Sequence, residues 1–459
     1  MAYGRSSDTI TIIGAGLAGS EAALQLAKRG LKVKLYEMRP NKTTGAHTSG
    51  KCAEFVCSNS LGSTDVTNAS GLLKKEMEIL GGELIKIAKD HSVPAGNALA
   101  IARDDFAEEV SNKIKNSPNI EIIRDEVTEI PDGNVIIASG PLTSDKLANS
   151  IKGFTQTEHL HFFDAIAPIV EVDSIDFNKA FWGSRYDKGD AAYINCPMNE
   201  EEYKKFYNIL INSPGIETHD VDKKEFFESC LPVEVLASRG FDTLRFGPMK
   251  PVGLVDKRTG SENYAVVQLR QDNSAKTLFN LVGFQTNLKW GAQKELVHSI
   301  PGLENANIVR YGVMHRNTFI NSSVVLNPTF ETINRKGLFF AGQITGTEGY
   351  TESIAGGLLA GINMARRVQG LEPLIFPKET MLGALTNYVT DRAHLAHISK
   401  RNGELRYLSP QPINSNWAIV APIELSKKDR KNKKLKTELL AKRGISVMEN
   451  FVKNNLDSM

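Results

Sequence analysis

The sequence predicts an α/β protein whose parallel sheet is assembled from both ends of the chain, around an inserted α+β domain. Three observations predict this. A glycine-rich turn joins a strand to a helix near the N-terminus. A second strand–turn–helix unit appears near residue 340. The segment between them has a different texture, with separate strand-like runs and turn-rich stretches.

The first element is TITII, residues 9–13, a β-branched run. Gly14, Gly16 and Gly19 follow in GAGLAG. A helical pattern comes next, with Ala22, Ala23, Leu26 and Ala27 on one face and Gly30 at its end. A second strand, LKVKLYE, ends at Glu37. Strand, glycine turn, helix and strand together form the dinucleotide-binding fingerprint. The first glycine permits the tight turn, the second admits a pyrophosphate, and the third lets helix pack on strand. The helix start offers N–H groups and a positive dipole end to phosphate. Glu37 lies 18 residues past Gly19, where an acid can bond ribose hydroxyls.

Further along, NVIIASGP (134–141) reads as a strand ending in small residues. Residues 337–367 read as a strand, a glycine-rich turn containing Gly342, and a long helix. Gly356, Gly357 and Gly361 would let that helix pack closely. This layout resembles the FAD-binding fold of the glutathione-reductase type, a Rossmann-like domain. The resemblance implies FAD rather than NAD as the tightly bound cofactor. The boundaries expected are 8–165 and 311–459 for the discontinuous FAD-binding domain. The inserted α+β domain is expected over 166–310, with strands in YAVVQLR and LFNLVGF.

Composition excludes several classes. The chain has 459 residues, 41% apolar and 24% charged, with net charge +2, so no polyanionic partner follows from the total. No apolar run approaches the roughly 20 residues of a membrane span. The N-terminal MAYGRSSDT lacks the apolar core of a signal peptide, and the protein is expected to be cytoplasmic. The stretch ELSKKDRKNKKLKTELLAKR near the C-terminus is dense in lysine. It reads either as a solvated helix face or as a stripe for nucleic-acid phosphates.

Four cysteines are too few for a disulfide framework. Cys52 and Cys57, in KCAEFVCSNS, lie five apart rather than at zinc-ribbon spacing. Of the histidines only His47 lies near them, so no metal is expected. Cys57 precedes an SNS run that reads as a helix start, where N–H groups would activate a thiol.

The strings IGAGLAGSEAALQLAKRG, CAEFVCSNSL, VPAGNALA, SRYDKGDAAYINCPM, FGPMKPVGL, VGFQTNLKWGAQKE, YGVMHRNTFIN and FFAGQITGTEGY occur in this order. Together they resemble the folate- and FAD-dependent uracil-5 methyltransferase family (TrmFO), over about residues 9–375 and more weakly to the end. The resemblance implies a reaction. Methylenetetrahydrofolate supplies a one-carbon unit, NAD(P)H supplies electrons to FAD, and the product is 5-methyluridine in the tRNA T-loop, at position 54. The chemistry wants an activated thiol and a base, because thiolate attack at C6 of uracil makes C5 nucleophilic and the C5 proton must then leave.

The family's two cysteines match Cys57 in FVCSNS and Cys230 in FFESCLP. They are the catalytic candidates, sharing the nucleophile and base roles, with Cys57 placed at the flavin and Cys230 at the pyrimidine. Cys52 stands where the family usually has an aromatic residue and reads as packing; Cys196 reads as core. Glu348 and Tyr350 in GTEGYTES fall where a flavin ring should sit, or else cap the turn and helix. His315 and Arg316 are candidates for folate or RNA, against a structural hydrogen-bonded pair. Lys250 and Arg270 are candidates for phosphate or the folate tail, against a surface salt bridge. Trp290, beside Lys289, is a candidate to stack on a base or pterin, against simple packing.

Three strings depart from the usual family form: Gly62 replaces an arginine in CSNSLG, Asn97 a glycine and Ala102 an aspartate in VPAGNALAIAR, and the histidine pair before the cysteine motif is reduced to His47. Such divergence near the site is where a changed RNA target would show. A uridine of 23S ribosomal RNA is therefore the alternative substrate. Two other classes remain: a flavin-bearing RNA-binding protein without activity, and an FAD-dependent thiol oxidoreductase using Cys52 and Cys57 as a redox pair.

Overall fold

A computed structural model describes residues 9–157, 160–187, 190–215, 231–260, 263–392, 398–401, 404–407, 412–426 and 429–456. Five strands form one parallel sheet. Its order is Leu338–Phe340, Val135–Ile137, Thr9–Ile13, Lys32–Tyr36, Ile120–Ile123. Ile12 sits opposite Leu35 on one side and Ile136 on the other. Ile10 and Ile12 are fully buried, as a central strand covered on both faces requires. The edge strand from residue 338 is what ties the late segment to the early one.

The helix Leu17–Lys28 leaves the first strand through the glycine turn. Gly30, just past its end, has φ +75°, the left-handed geometry of a helix stop. The long helix Tyr350–Val368 lies against it. A Cβ at Gly357 would come within 2.2 Å of the Ala18 carbonyl oxygen, and one at Gly361 within 3.1 Å of Ala22. These glycines set the helix spacing.

A second sheet is antiparallel. Its order is Phe181–Gly183, Tyr193–Met198, Ala265–Gln271, Leu278–Leu281, Ile169–Glu171, Ile308–Arg310. The helix Glu200–Asn212, opened by a capping box between Asn199 and Glu202, buries Tyr203 and Phe206 against it. This sheet has its own core, around Phe279, Phe284 and Leu269. The first sheet has a separate one. A separate two-stranded ribbon pairs Leu160–Ala165 with Met314–Phe319.

One local expectation fails. No helix starts after Cys57. Residues Ser60–Ser63 form a strand paired with Ala98–Ile101, and the next helix begins at Ala69. The reason is Asn59. Its side chain is buried and donates to the carbonyls of Ile101 and Gln271, so it is spent on tertiary contacts and not on a cap.

Candidate active site

The carboxyl ends of the parallel strands open into a cleft. Gly14, Gly16, Glu37, Gly140, Gly342 and Tyr350 are on its walls. That position is where ligands bind in open α/β sheets. Gly14 has φ +98°, and a Cβ there would strike the Ala138 carbonyl at 2.6 Å. A Cβ at Gly19 would lie 1.8 Å from the Gly14 oxygen. Gly16 differs: a Cβ there would meet no protein atom within 4 Å. The protein does not need glycine at 16, but a ligand in the cleft would.

The helix that starts at Leu17 has Gly16 as its cap and no side-chain cap. Its N–H groups are thus left for a phosphate. These residues fit the pyrophosphate of a dinucleotide such as FAD. Gly342, with φ +80°, turns the late strand away; a Cβ there would be 2.7 Å from Ala18. Glu348 stands behind this wall, buried and hydrogen-bonded to the Gln343 side chain.

Glu37 lines the cleft, but its carboxylate is already engaged. It accepts from Ala15 N at 3.0 Å and from Arg39 through N at 3.0 Å and Nε at 2.9 Å. Arg39 also reaches Glu54 at 3.0 Å. Burial alone would push the Glu37 carboxyl up. The Arg39 hydrogen bonds and charge outweigh it and hold the carboxyl below the usual range. The sequence pointed to a ribose acid; the structure adds that Glu37 braces the glycine turn through Ala15.

Tyr350 and Cys57 meet at the wall of the cleft. The Tyr350 oxygen accepts from Val56 N at 3.1 Å and Cys57 N at 2.7 Å, and lies 2.8 Å from Cys57 Sγ. A phenol oxygen has two lone pairs. Both face backbone donors, so the hydroxyl proton points to sulfur. Burial first, and then the neighbouring Cys57, push the Tyr350 phenol well above its usual range. It therefore keeps its proton at neutral pH and can share it with the Cys57 sulfur. Where the sequence suggested a helix start beside Cys57, the structure has this tyrosine.

Other candidates fall in different places. Cys52 is fully buried, and burial pushes its thiol up; Cys196 is likewise buried and inert. Cys230 lies outside the described residues. His315 and Arg316 fall on the two-stranded ribbon, opposite Asp164 and Phe163, and their side chains lie outside the described residues. Lys250 is exposed, away from the cleft walls.

Arg270 is neither on the surface nor at the cleft. It is buried, with Nε on Asn59 Oδ1 at 2.9 Å, because its strand backs onto the Cys57 loop. Trp290 is not packed away: it is 61% exposed and stacked on Tyr311, centroids 5.4 Å apart and planes 16° apart. Arg39, Arg103 and Arg310, which surround the Cys57 loop, carried no sequence signal, since their roles depend on pairings remote in the chain.

The profile of the glucose inhibited division protein A family matches residues 9–372. The chain belongs to this GidA family. Within it, the chain is 54% identical over 444 residues to the methylenetetrahydrofolate--tRNA-(uracil-5-)-methyltransferase TrmFO of Anoxybacillus flavithermus (strain DSM 21510 / WK1), covering 97% of this chain and 99% of that protein. It is 54% identical over 447 residues to the enzyme of the same name from Bacillus cereus (strain G9842), with the same coverage. These identities place the GidA-family chain in the TrmFO group. Among solved structures, GidA of Aquifex aeolicus superposes with TM-score 0.67 at 17% identity, covering 98% of this chain and 74% of that one. A second crystal form gives 0.65 at 18% identity, with coverages of 98% and 78%. The GidA likeness bears out the α/β fold class.

Proposed function

We infer that this chain methylates C5 of a uridine in tRNA, position 54 of the T-loop, using methylenetetrahydrofolate as carbon donor. The observation that carries the reading is Cys57. It is a thiol on the wall of a dinucleotide cleft, with a tyrosine hydroxyl aimed at its sulfur, in a chain 54% identical to enzymes of that name. The residues of the glycine turn would hold FAD, through Gly14, Gly16 and the start of the helix Leu17–Lys28. FAD, when bound, supplies the electrons that bring the transferred carbon to the methyl level, and NAD(P)H restores them.

Each group has a task in this reading. Cys57 acts beside the cofactor, its sulfur kept an acceptor by Tyr350. Cys230 works at the pyrimidine, the two cysteines dividing nucleophile and base between them. Glu37 holds the turn through Ala15, while Gln343, backed by Glu348, forms the opposite wall. Trp290, stacked on Tyr311, offers a flat exposed face to a base or a pterin. Lys250, His315 and Arg316 are assigned to the folate or RNA side. Arg270 is reassigned to holding the Cys57 loop. Residues 8–165 and 311–459 form the cofactor domain and 166–310 the insertion, a division the two separate cores support. No described helix is long and apolar enough to cross a membrane; the cytoplasm, where tRNA and folate meet, is the proposed location.

The test is methyl transfer by the flavin-loaded protein, given methylenetetrahydrofolate and NADPH. Unmodified tRNA and unmodified 23S ribosomal RNA are offered in parallel, and 5-methyluridine is located by mass spectrometry of nuclease fragments. Methyl at tRNA position 54 is the expected result. Methyl in ribosomal RNA alone would keep the chemistry and replace the target. Cys57→Ala should abolish transfer while Cys52→Ala leaves it largely intact; equal loss would favour the thiol oxidoreductase.

A further inference from the structure

The peptide carrying Cys57 is held from both sides. Tyr350 takes its N–H groups. Its carbonyls go to arginines: Phe55 O accepts from Arg103 Nη1 at 3.4 Å, Val56 O from Arg310 Nη2 at 3.0 Å, and Cys57 O from Arg103 Nη2 at 3.3 Å. Arg103 begins the helix Arg103–Lys115, beside the first core. Its own anchor is across the molecule. Asp272, just past the strand Ala265–Gln271 of the antiparallel sheet, accepts from Arg103 Nε at 2.9 Å, and Arg103 Nη2 lies 2.9 Å from the same carboxylate oxygen. Arg103 is 7% exposed and Asp272 5%. Asn280 donates to Asp272 and to Asn59, both at 3.1 Å, and Arg270 closes the network on Asn59.

We propose that Asp272 and Arg103 are positioning residues, through which the inserted sheet fixes the Cys57 peptide against Tyr350. Their role rests on Cys57 being the reactive thiol, as proposed above. A buried ion pair is a poor device for stability alone, since apolar residues of equal volume often do as well. This pair does something apolar residues cannot. The planar guanidinium reaches a carboxylate in one core and two carbonyls in the other, which is a fork's geometry and not a point charge's. It sets the direction of two peptide planes, and with them the approach of Sγ to the tyrosine hydroxyl. It also brings a positive group near the sulfur that favours the thiolate.

The test uses the flavin-loaded full chain and reads the iodoacetamide alkylation rate of Cys57 against pH, by peptide mass mapping. Arg103→Gln removes fork and charge. Its alkylation profile moves up by about one pH unit, a roughly tenfold slower reaction below the midpoint. Arg103→Lys keeps the charge but not the fork, so its midpoint stays while kcat for methyl transfer falls and KM for folate does not. Asp272→Ala, made in the other core, also lowers kcat without changing KM. Wild-type alkylation and kcat in a folded Arg103→Gln or Asp272→Ala protein, with normal melting and flavin content, would overturn the proposal. So would failure of all three variants to fold, which would make the pair a strut only. If wild-type protein alkylates at Cys57 yet Cys57→Ala still methylates RNA, the catalytic reading of Cys57 fails instead, and the alkylation comparison still stands.

Discussion

Replacing Tyr350 by phenylalanine tests the Cys57 site with the least collateral change. The ring stays, and with it the edge contact to Phe55, whose centroid is 4.5 Å away. Only the oxygen is lost. Val56 N and Cys57 N then lose acceptors now at 3.1 and 2.7 Å. At about 1 kcal/mol net for each bond, the loop becomes about 2 kcal/mol easier to open, which is roughly a 30-fold rise in the open fraction. Amide hydrogen exchange of the peptide spanning residues 55–58 should speed up by that order, while amides of the strand Thr9–Ile13 keep their protection. The same change takes the hydroxyl donor from Cys57 Sγ, so the thiol should alkylate more slowly at neutral pH. Wild-type exchange at Val56 and Cys57 in a folded Tyr350→Phe protein would sink this account, because the phenol oxygen would then not be holding those amides.

Other outcomes follow from the same geometry. Gly16→Ala should melt like wild type without flavin yet lose FAD on gel filtration, since its Cβ meets only the cleft; Gly19→Ala should also lose about 1–3 kcal/mol of stability, since its Cβ overlaps the Gly14 carbonyl. Glu76 is buried and accepts from Met381 N and Leu382 N, and burial pushes its carboxyl up to about 8. The native state therefore holds that proton more tightly than the unfolded chain does. The resulting stability is full below the ordinary carboxylate range and is lost as pH rises through about 8. Glu76→Gln should flatten the melting temperature over that window. Reversing the exposed Lys433, Lys436 and Lys442 to glutamate should weaken tRNA binding and make log K less steep in log salt by about 1 for each phosphate no longer neutralised; an unchanged slope would return that helix to a solvated face.

How much of this is legible in the sequence depends on how local each signal is. Gly14, Gly16 and Gly19 answer to constraints within a few residues of themselves, so their spacing reveals the turn, and the late Gly342–Gly361 region reveals its partner helix. The two-ended sheet follows from those units. Arg270 reads as a phosphate or folate contact or a surface salt bridge, yet it is buried; Asn59, far away in sequence, supplies the partner that its burial needs. The SNS run misleads for the same reason: its asparagine has tertiary work to do. Trp290 reads mainly as packing, yet it stands exposed because the loop carrying Tyr311 supplies only one face. Tyr350 is marked for the cofactor by its neighbours in the turn. Its bond to Cys57 spans 293 positions, and no period or spacing encodes that.

The long helix Tyr350–Val368 carries a consequence beyond packing. Its first residue grips the thiol loop, and Gly357 rests on the helix that opens at the phosphate turn, within a methyl group's width of Ala18. One rod thus serves as the common gauge for two distances, thiol to cleft and turn to cleft. Neither can drift unless the rod slides, and a slide displaces both together. Wear in this machine would show as simultaneous loss of cofactor retention and thiol reactivity, even from a change such as Gly357→Ala that meets only the Ala18 side of the rod.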